Sequence, residues 1–374
     1  MKTRNLSKIK LQNLKKNITQ IKRFIEKLSN PKDVLDKLEE INNFIQNLHF
    51  GLNFETHKEE IEEILEKSTI QLSENKKMTI TGKNLEHKIY EGENYAVLSY
   101  LLRFYKAKID VICIDPPYNT GNEMLGYDDL DYMDGNDDYI HSKWLSFMEK
   151  RLKLAQELLS SHGVMFINID ETQIGGIILL CQELFGEENV VILIWPKTDP
   201  KFDANRVEKP VSNVKIIHEY IILCYKNKEE TQFKKVIKRP NHTDFSIKEH
   251  YYNMESIIYE MGTTSSAKDE MTEIFGRRDY FSTPKPMKLI KELIRAATNY
   301  NSIVLDFFAG SGTTGHAVID LNNEDGGKRK FVLVNNNDNE ICKKITYNRI
   351  KWVFNKYKCQ DTLKYLIIKQ QTLN

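Results

Sequence analysis

A chain of 374 residues is long enough for one large α/β domain with a smaller addition, or for two modest domains, and either can bury a proper core. Its 40% hydrophobic and 29% charged residues exclude a wholly disordered protein, and no apolar run approaches the roughly 20 residues of a membrane helix. The net charge of +1 says little about partners. The five cysteines (Cys113, Cys181, Cys224, Cys342 and Cys359) include no C-x-x-C pair, so neither a metal nor disulfides are expected. No signal-peptide core follows Met1 to Asn5, so a cytoplasmic location is expected.

Taken in chain order, residues 1 to about 75 read as helix throughout. Leu11, Leu14, Ile18, Ile21, Ile25 and Leu28 recur at helical spacing, Asn30-Pro31 breaks the run, and Val34, Leu38, Ile41, Phe44 and Leu48 resume it. Such apolar stripes must bury against the main body, a second copy or another subunit. In the first thirty residues Lys2, Arg4, Lys8, Lys10, Lys15, Lys16, Lys22, Arg23 and Lys27 face only Glu26, which suits a nucleic-acid or partner surface as well as a solvated helical face.

From about residue 85, short β-branched runs alternate with longer helical patterns. The strands predicted are Ile109 to Ile114, Val164 to Ile169, Val190 to Trp195, His218 to Tyr225, Ile303 to Phe307 and Phe331 to Val334. The helices are Tyr139 to Ser160, Ile174 to Phe185, Pro286 to Thr298, Thr313 to Leu321 and Glu340 to Tyr357. This alternation predicts an α/β fold with a doubly wound, Rossmann-like sheet. Lys226 to Tyr280 breaks the pattern and reads as an insertion. The division expected is a helical arm over 1–80, two halves of one domain over 81–225 and 281–374, and an inserted region over 226–280.

Two strand ends carry chemistry. Ile303 to Phe307 runs into Phe308-Ala309-Gly310-Ser311-Gly312-Thr313, a glycine turn opening a helix, where free backbone N–H groups can meet an anion. Gly310, Gly312 and Gly315 also satisfy the dinucleotide spacing, but the acidic ribose partner expected after the next strand is replaced by Asn335-Asn336-Asn337-Asp338. The strand Ile109 to Ile114 delivers Asp115-Pro116-Pro117-Tyr118. Consecutive prolines remove two backbone donors and stiffen the chain around a carboxylate. A carboxylate and a carbonyl that together accept the two hydrogens of an amino group draw its lone pair out of an aromatic ring, and a tyrosine beside them offers a stacking face. A plain turn with a packed tyrosine is the bland alternative.

The other polar candidates are weaker. The acidic run from Glu123 to Asp138 reads as a loop that orders on substrate. Lys234 to Arg239 suits phosphate contacts, and Asn241, His242, Thr243 and Thr263 to Ser266 could read base edges.

Together, Asp115-Pro116-Pro117-Tyr118-Asn119-Thr120-Gly121, Phe308-Ala309-Gly310-Ser311-Gly312 and Thr283-Pro284-Lys285-Pro286 resemble the β group of DNA amino-methyltransferases, above all the modification subunits of type III restriction-modification systems. His141 to Trp144, Met148, Arg151, Ile167 to Glu171 and His218 to Tyr220 extend the likeness over roughly residues 85 to 355. The resemblance implies an enzyme that transfers a methyl group from S-adenosylmethionine to adenine N6 in double-stranded DNA. It implies Asp115, Pro116, Pro117 and Tyr118 as the catalytic set, and Asp306, Phe308, Ala309, Gly310, Ser311, Gly312, Thr313, Lys285 and Asn335 around the cofactor. It further implies a homodimer and a possible restriction subunit, with a small recognition insertion because the chain is shorter than typical type III subunits. Methylation of cytosine N4 or of RNA uses the same geometry, and a catalytically idle recognition subunit or, more remotely, a dehydrogenase are the other readings.

Overall fold

The computed structural model describes residues 16–22, 32, 34–39, 54, 56–118, 140–198, 214–236, 249–251 and 254–372. Their centre is a nine-stranded sheet. In chain order the strands are β1 (Ser68–Glu74), β2 (Glu86–Glu91), β3 (Ile109–Ile114), β4 (Leu159–Ile169), β5 (Val190–Pro196), β6 (His218–Tyr225), β9 (Ile303–Asp306), β10 (Lys330–Asn335) and β11 (Thr362–Thr372); β7 (Lys234–Val236) and β8 (Glu249–Tyr251) form a separate antiparallel pair. The spatial order is β1-β11-β2-β10-β9-β3-β4-β6-β5. The six strands from β11 to β4 run parallel, and β1 on one flank and β6-β5 on the other pair antiparallel. The doubly wound sheet is therefore mixed at its margins.

Helices α2 (Asn94–Tyr105), α3 (Ile140–Leu158) and α4 (Ile174–Phe185) cover one face; α6 (Met287–Ala297), α7 (Thr313–Asp325) and α8 (Tyr347–Lys356) cover the other. Strand alternation divides the core between them: Ile112 and Ile114 of β3 pack with the first set, Val111 and Cys113 with the second. β9 crosses through α7 to β10 on one side, while β3 crosses through α3 to β4 on the other. The winding thus reverses between β9 and β3, and the crevice beyond their carboxyl ends is where such sheets bind ligands.

The helical reading of residues 1 to 75 fails at the described residues 54 and 56–59 and again from Ser68, and Leu11, Leu14, Ile25, Leu28, Ile41, Phe44 and Leu48 lie outside the described residues. Helix α1 (Glu60–Lys67) gives way at Ser68 to β1, whose only apolar side chains, Ile70 and Leu72, alternate along an edge strand paired with β11. Phe54 and Ile61 join the core beside α2 and α3, so this part of the arm is buried against the body. The described residues of 226–280 hold more regular structure than their pattern suggested. Ile257 bridges β5 through Ile258 N to Ile194 O at 2.8 Å, and α5 (Thr264–Phe275) follows. Thr263 and Ser266, read as possible base contacts, instead cap α5: Thr263 Oγ1 accepts from Ser266 N at 3.2 Å and Ser266 Oγ from Thr263 N at 2.8 Å. Glu123 to Asp138, Ile237 to Arg239 and Asn241 to Thr243 lie outside the described residues.

Candidate active site

The β3–β9 register pairs Ile112 with Leu305, so Asp115 and Phe308 each lie three residues beyond one rung, on neighbouring strands about 4.8 Å apart. The two sequence-predicted loops therefore share a rim. Loop 115–118 is pinned by side chains from both sides: Asn168 Nδ2 donates to Ile114 O at 2.9 Å, and the buried Trp144 indole donates to Pro117 O at 2.7 Å. Among the described residues no donor takes the Pro116 carbonyl, which lies between those two. A proline pair held at its flanks leaves one acceptor beside the Asp115 carboxylate, the arrangement an amino group with two hydrogens requires.

The carboxylate sits in an ion cluster. Lys285 Nζ donates to Asp115 Oδ1 and Oδ2 at 2.9 and 2.8 Å and to the Tyr118 hydroxyl at 2.7 Å, and the hydroxyl donates to Asp115 Oδ1 at 2.7 Å. Glu219 of β6 lies 3.3 Å from Lys285 Nζ through Oε2 and 3.3 Å from Lys197 Nζ through Oε1. Burial pushes the Asp115 carboxyl up, against the opposing pull of Lys285 and Tyr118. Burial also acts to raise Glu219, but Lys285 and Lys197 outweigh it and hold that carboxyl below its ordinary value. For Lys285 burial opposes the charge and the two carboxylates win, so its ammonium is held above the ordinary lysine value. Tyr118 is pushed well up, first by burial and then by Asp115 and Glu219, and keeps its proton.

The glycine loop follows β9 directly. Gly310 and Gly312 take φ of +46° and +80°, a region that favours glycine. A Cβ on Gly312 would stand 3.3 Å from Thr346 O, so the loop runs hard against the residues before α8. Ala309 N donates to Val334 O at 3.1 Å and Gly312 N to Ala309 O at 2.7 Å, and Thr313 Oγ1 reaches Lys285 O at 3.5 Å, which joins the two loops through the Lys285 turn. Behind the loop, the fully buried Arg349 donates to Ser311 Oγ at 3.1 Å and Thr313 Oγ1 at 3.0 Å, and to Glu270 of α5 at 3.1 Å.

Asp306 ends β9 with its carboxylate accepting from Phe308 N at 3.0 Å and Thr314 Oγ1 at 2.6 Å, yet burial pushes it up to about 7. The unfolded carboxyl ionises near 3.8, so the folded chain holds this proton more tightly. The stability so contributed is complete below about pH 4 and is lost as pH rises through about 7. Relative to Asp306→Asn, the wild-type melting temperature is expected to fall by about 5 °C between roughly pH 5 and 8. Parallel melting curves across that range would refute this.

Two assignments move. Lys285, placed by sequence around the cofactor, sends its ammonium to Asp115, although its carbonyl still faces Thr313. Asn335, placed around the cofactor and read with its neighbours as the ribose partner, spends its amide within the fold: Nδ2 donates to Thr346 Oγ1 at 3.2 Å and lies 3.5 Å from Gly310 O. The next residue is the better candidate, because Asn336 Oδ1 is buried with no hydrogen-bond partner. Sequence reading missed Asn94 altogether. It opens α2 just past β2 on the same rim, and its Nδ2 donates to Phe307 O at 3.1 Å while its Oδ1 accepts from Arg151 Nε at 2.5 Å. Arg151, quoted only as a likeness, is buried on Glu59 (2.8 and 2.7 Å) and Glu93 (2.6 Å), its guanidinium 3.5 Å from the centre of the Phe147 ring.

A DNA methylase family matches residues 109–353, which takes in both loops and every partner of Asp115 named above. The chain belongs to this family. Among its relatives, the chain is 30% identical over 370 residues to the type III restriction-modification enzyme StyLTI Mod subunit of Salmonella typhimurium, covering 72% of this chain and 56% of that one. It is 26% identical over 388 residues to the EcoP15I Mod subunit of Escherichia coli (68% and 59%), and 25% identical over 342 residues to the type II methyltransferase M.KpnI of Klebsiella pneumoniae (67% and 80%). The chain thus spans a little over half the length of these two type III relatives. Among its described residues, no helix is long and apolar enough to cross a membrane, and no group of three or more His, Cys, Asp or Glu could hold a metal.

Proposed function

We propose that the protein is an S-adenosylmethionine-dependent DNA methyltransferase that modifies the N6 amino group of adenine in double-stranded DNA, as the modification subunit of a restriction-modification system. The observation that carries this reading is the meeting of Asp115–Tyr118 and residues 306–313 at one rim, where the sheet reverses its winding. Asp115 and the Pro116 carbonyl accept the two hydrogens of the target amino group and direct its lone pair. Pro117, fixed by Trp144, holds that geometry, and Tyr118 offers its ring to an extruded base. Burial makes the Asp115 carboxyl a better proton acceptor than an exposed aspartate, which suits the amino proton that must leave.

The residues fit the cofactor. Phe308, Ala309, Gly310, Ser311, Gly312 and Thr313 offer close backbone and a helix N-terminus to its methionine carboxylate, Asp306 lies beneath them, and the orphaned Asn336 Oδ1 is an acceptor for a ribose hydroxyl. The bound cofactor supplies an activated methyl group. Residues 226–280 serve as the target-recognition region between the halves 81–225 and 281–374. A cytoplasmic setting, a homodimer using the arm over 1–80 and a restriction partner complete the reading; the names of the type III relatives support the last.

The test is transfer of tritiated methyl groups from S-adenosylmethionine to unmodified bacterial DNA. Label in DNA that is lost with Asp115→Ala is expected; label confined to RNA, or none in any nucleic acid, would defeat the proposal.

A further inference from the structure

The contacts of Lys285 exceed what a spacer between two loops needs. Its ammonium touches both oxygens of Asp115, the Tyr118 hydroxyl and Glu219, and its side chain is only 8% exposed. Glu219 is 9% exposed and also holds Lys197. Two cations and two carboxylates thus form a cluster of zero formal charge, and Lys285 bridges its acids.

This arrangement conflicts with the part proposed for Asp115. An amino group entering that carboxylate meets an ammonium on the oxygens it needs. Its nitrogen gains positive charge as it bonds to carbon, and a cation within a few ångströms opposes that. Yet the ammonium cannot simply be released, because an unpaired charge in this interior is strongly unfavourable. Glu219, already 3.3 Å away, meets both demands.

We propose that Lys285 has two anionic homes and passes from Asp115 to Glu219 when the target base takes up Asp115, which makes Glu219 a positioning residue for the transfer. The inference rests on the methyltransferase reading above. The move exchanges ion-pair partners: no covalent bond changes, no proton is transferred and charge is conserved. It needs only a small side-chain shift, because Nζ already touches both acids. Lys197, on the other oxygen of Glu219, keeps that acid anionic and ready.

Thermal melting of the full chain reads the two homes without any chemistry. Asp115→Asn and Glu219→Gln each leave Lys285 one carboxylate and are expected to lower the melting temperature by no more than about 3 °C each. The double variant leaves a buried ammonium with neither, and is expected to lose more than about twice the sum of the singles. Additive losses would overturn the shared lysine.

Methyl transfer to unmodified bacterial DNA reads the exchange. Glu219→Gln is expected to lower kcat about 30-fold with KM for cofactor and DNA within about twofold, and Glu219→Asp to stay within about fivefold of wild type. Adding Lys285→Met to Glu219→Gln is expected to restore at least about fivefold, because an absent lysine needs no second home. A double variant no faster than Glu219→Gln, or a Glu219→Gln enzyme as fast as wild type, overturns the proposal. Additive melting in an active methyltransferase would refute the inference alone, whereas non-additive melting in a protein that transfers no methyl group would refute its premise.

Discussion

Asp115→Asn is expected to lower methyl transfer by on the order of a thousandfold while S-adenosylmethionine binding stays within about threefold. The substitution keeps the shape of the side chain but presents an amide where the target amino group needs a second acceptor. The Pro116 carbonyl alone cannot draw both hydrogens, so the nitrogen lone pair stays delocalised in the ring. The same change removes the raised carboxyl that takes up the departing proton. Folding should survive, because Trp144 and Asn168 pin the loop through backbone carbonyls and Lys285 keeps Glu219. Calorimetric titration with the cofactor and a rate from tritium transfer measure the two quantities. An Asp115→Asn protein within about tenfold of the wild-type rate would remove Asp115 from the chemistry.

The largest expected stability loss lies behind the glycine loop. Glu270 accepts from Met287 N at 3.0 and 3.2 Å, which serves the first turn of α6, and it is the carboxylate that pairs with Arg349. Burial drives Arg349 down to about 10 even with Glu270 beside it. The neighbouring His316 is pushed well below its ordinary value by burial and by Arg349, and stays neutral with Nδ1 3.3 Å from the guanidinium. Glu270→Ala therefore leaves a buried cation facing only neutral groups, and is expected to cost about 3–5 kcal/mol in denaturant unfolding. Adding Arg349→Met should recover a substantial part of that loss, since the charge that needed a partner is gone. Equal stability of Glu270→Ala and wild type would show that the pair contributes nothing. Because Arg349 also orders Ser311 and Thr313, the single variant should weaken cofactor binding in step.

What the sequence made legible follows from burial. β3, β9 and β10 are covered on both faces and read as short apolar runs, interrupted in β3 only by Asp110, and α4 was bounded at Ile174 and Phe185 by its pattern alone. The margins of the sheet were not legible. β1 has two apolar residues and a mostly exposed surface, so it continued the helical pattern before it, and β2 and β11 interleave lysine, glutamate and glutamine with their apolar positions. Missing β2 hid Asn94, since a polar residue after a Gly turn acquires meaning only once a strand is known to end there. The run Glu340 to Tyr357 was found as one helix, but it begins with π-helical turns over Ile341–Thr346, where Thr346 Oγ1 turns back to Gly310 O at 2.6 Å. Loop 115–118 was legible because a proline pair directly after an apolar strand stiffens the chain around a carboxylate. Its ion cluster was not: Lys285, Glu219 and Lys197 come from three distant stretches, and nothing in a linear pattern marks an ammonium shared by two acids.

The most direct measurement is the identity of the modified base. DNA from cells expressing the chain, digested to nucleosides and resolved by mass, should contain N6-methyladenine at one recurrent sequence, and cells expressing Asp115→Ala should lack it. N4-methylcytosine in its place, or an unchanged nucleoside profile with folded protein present, would contradict the account.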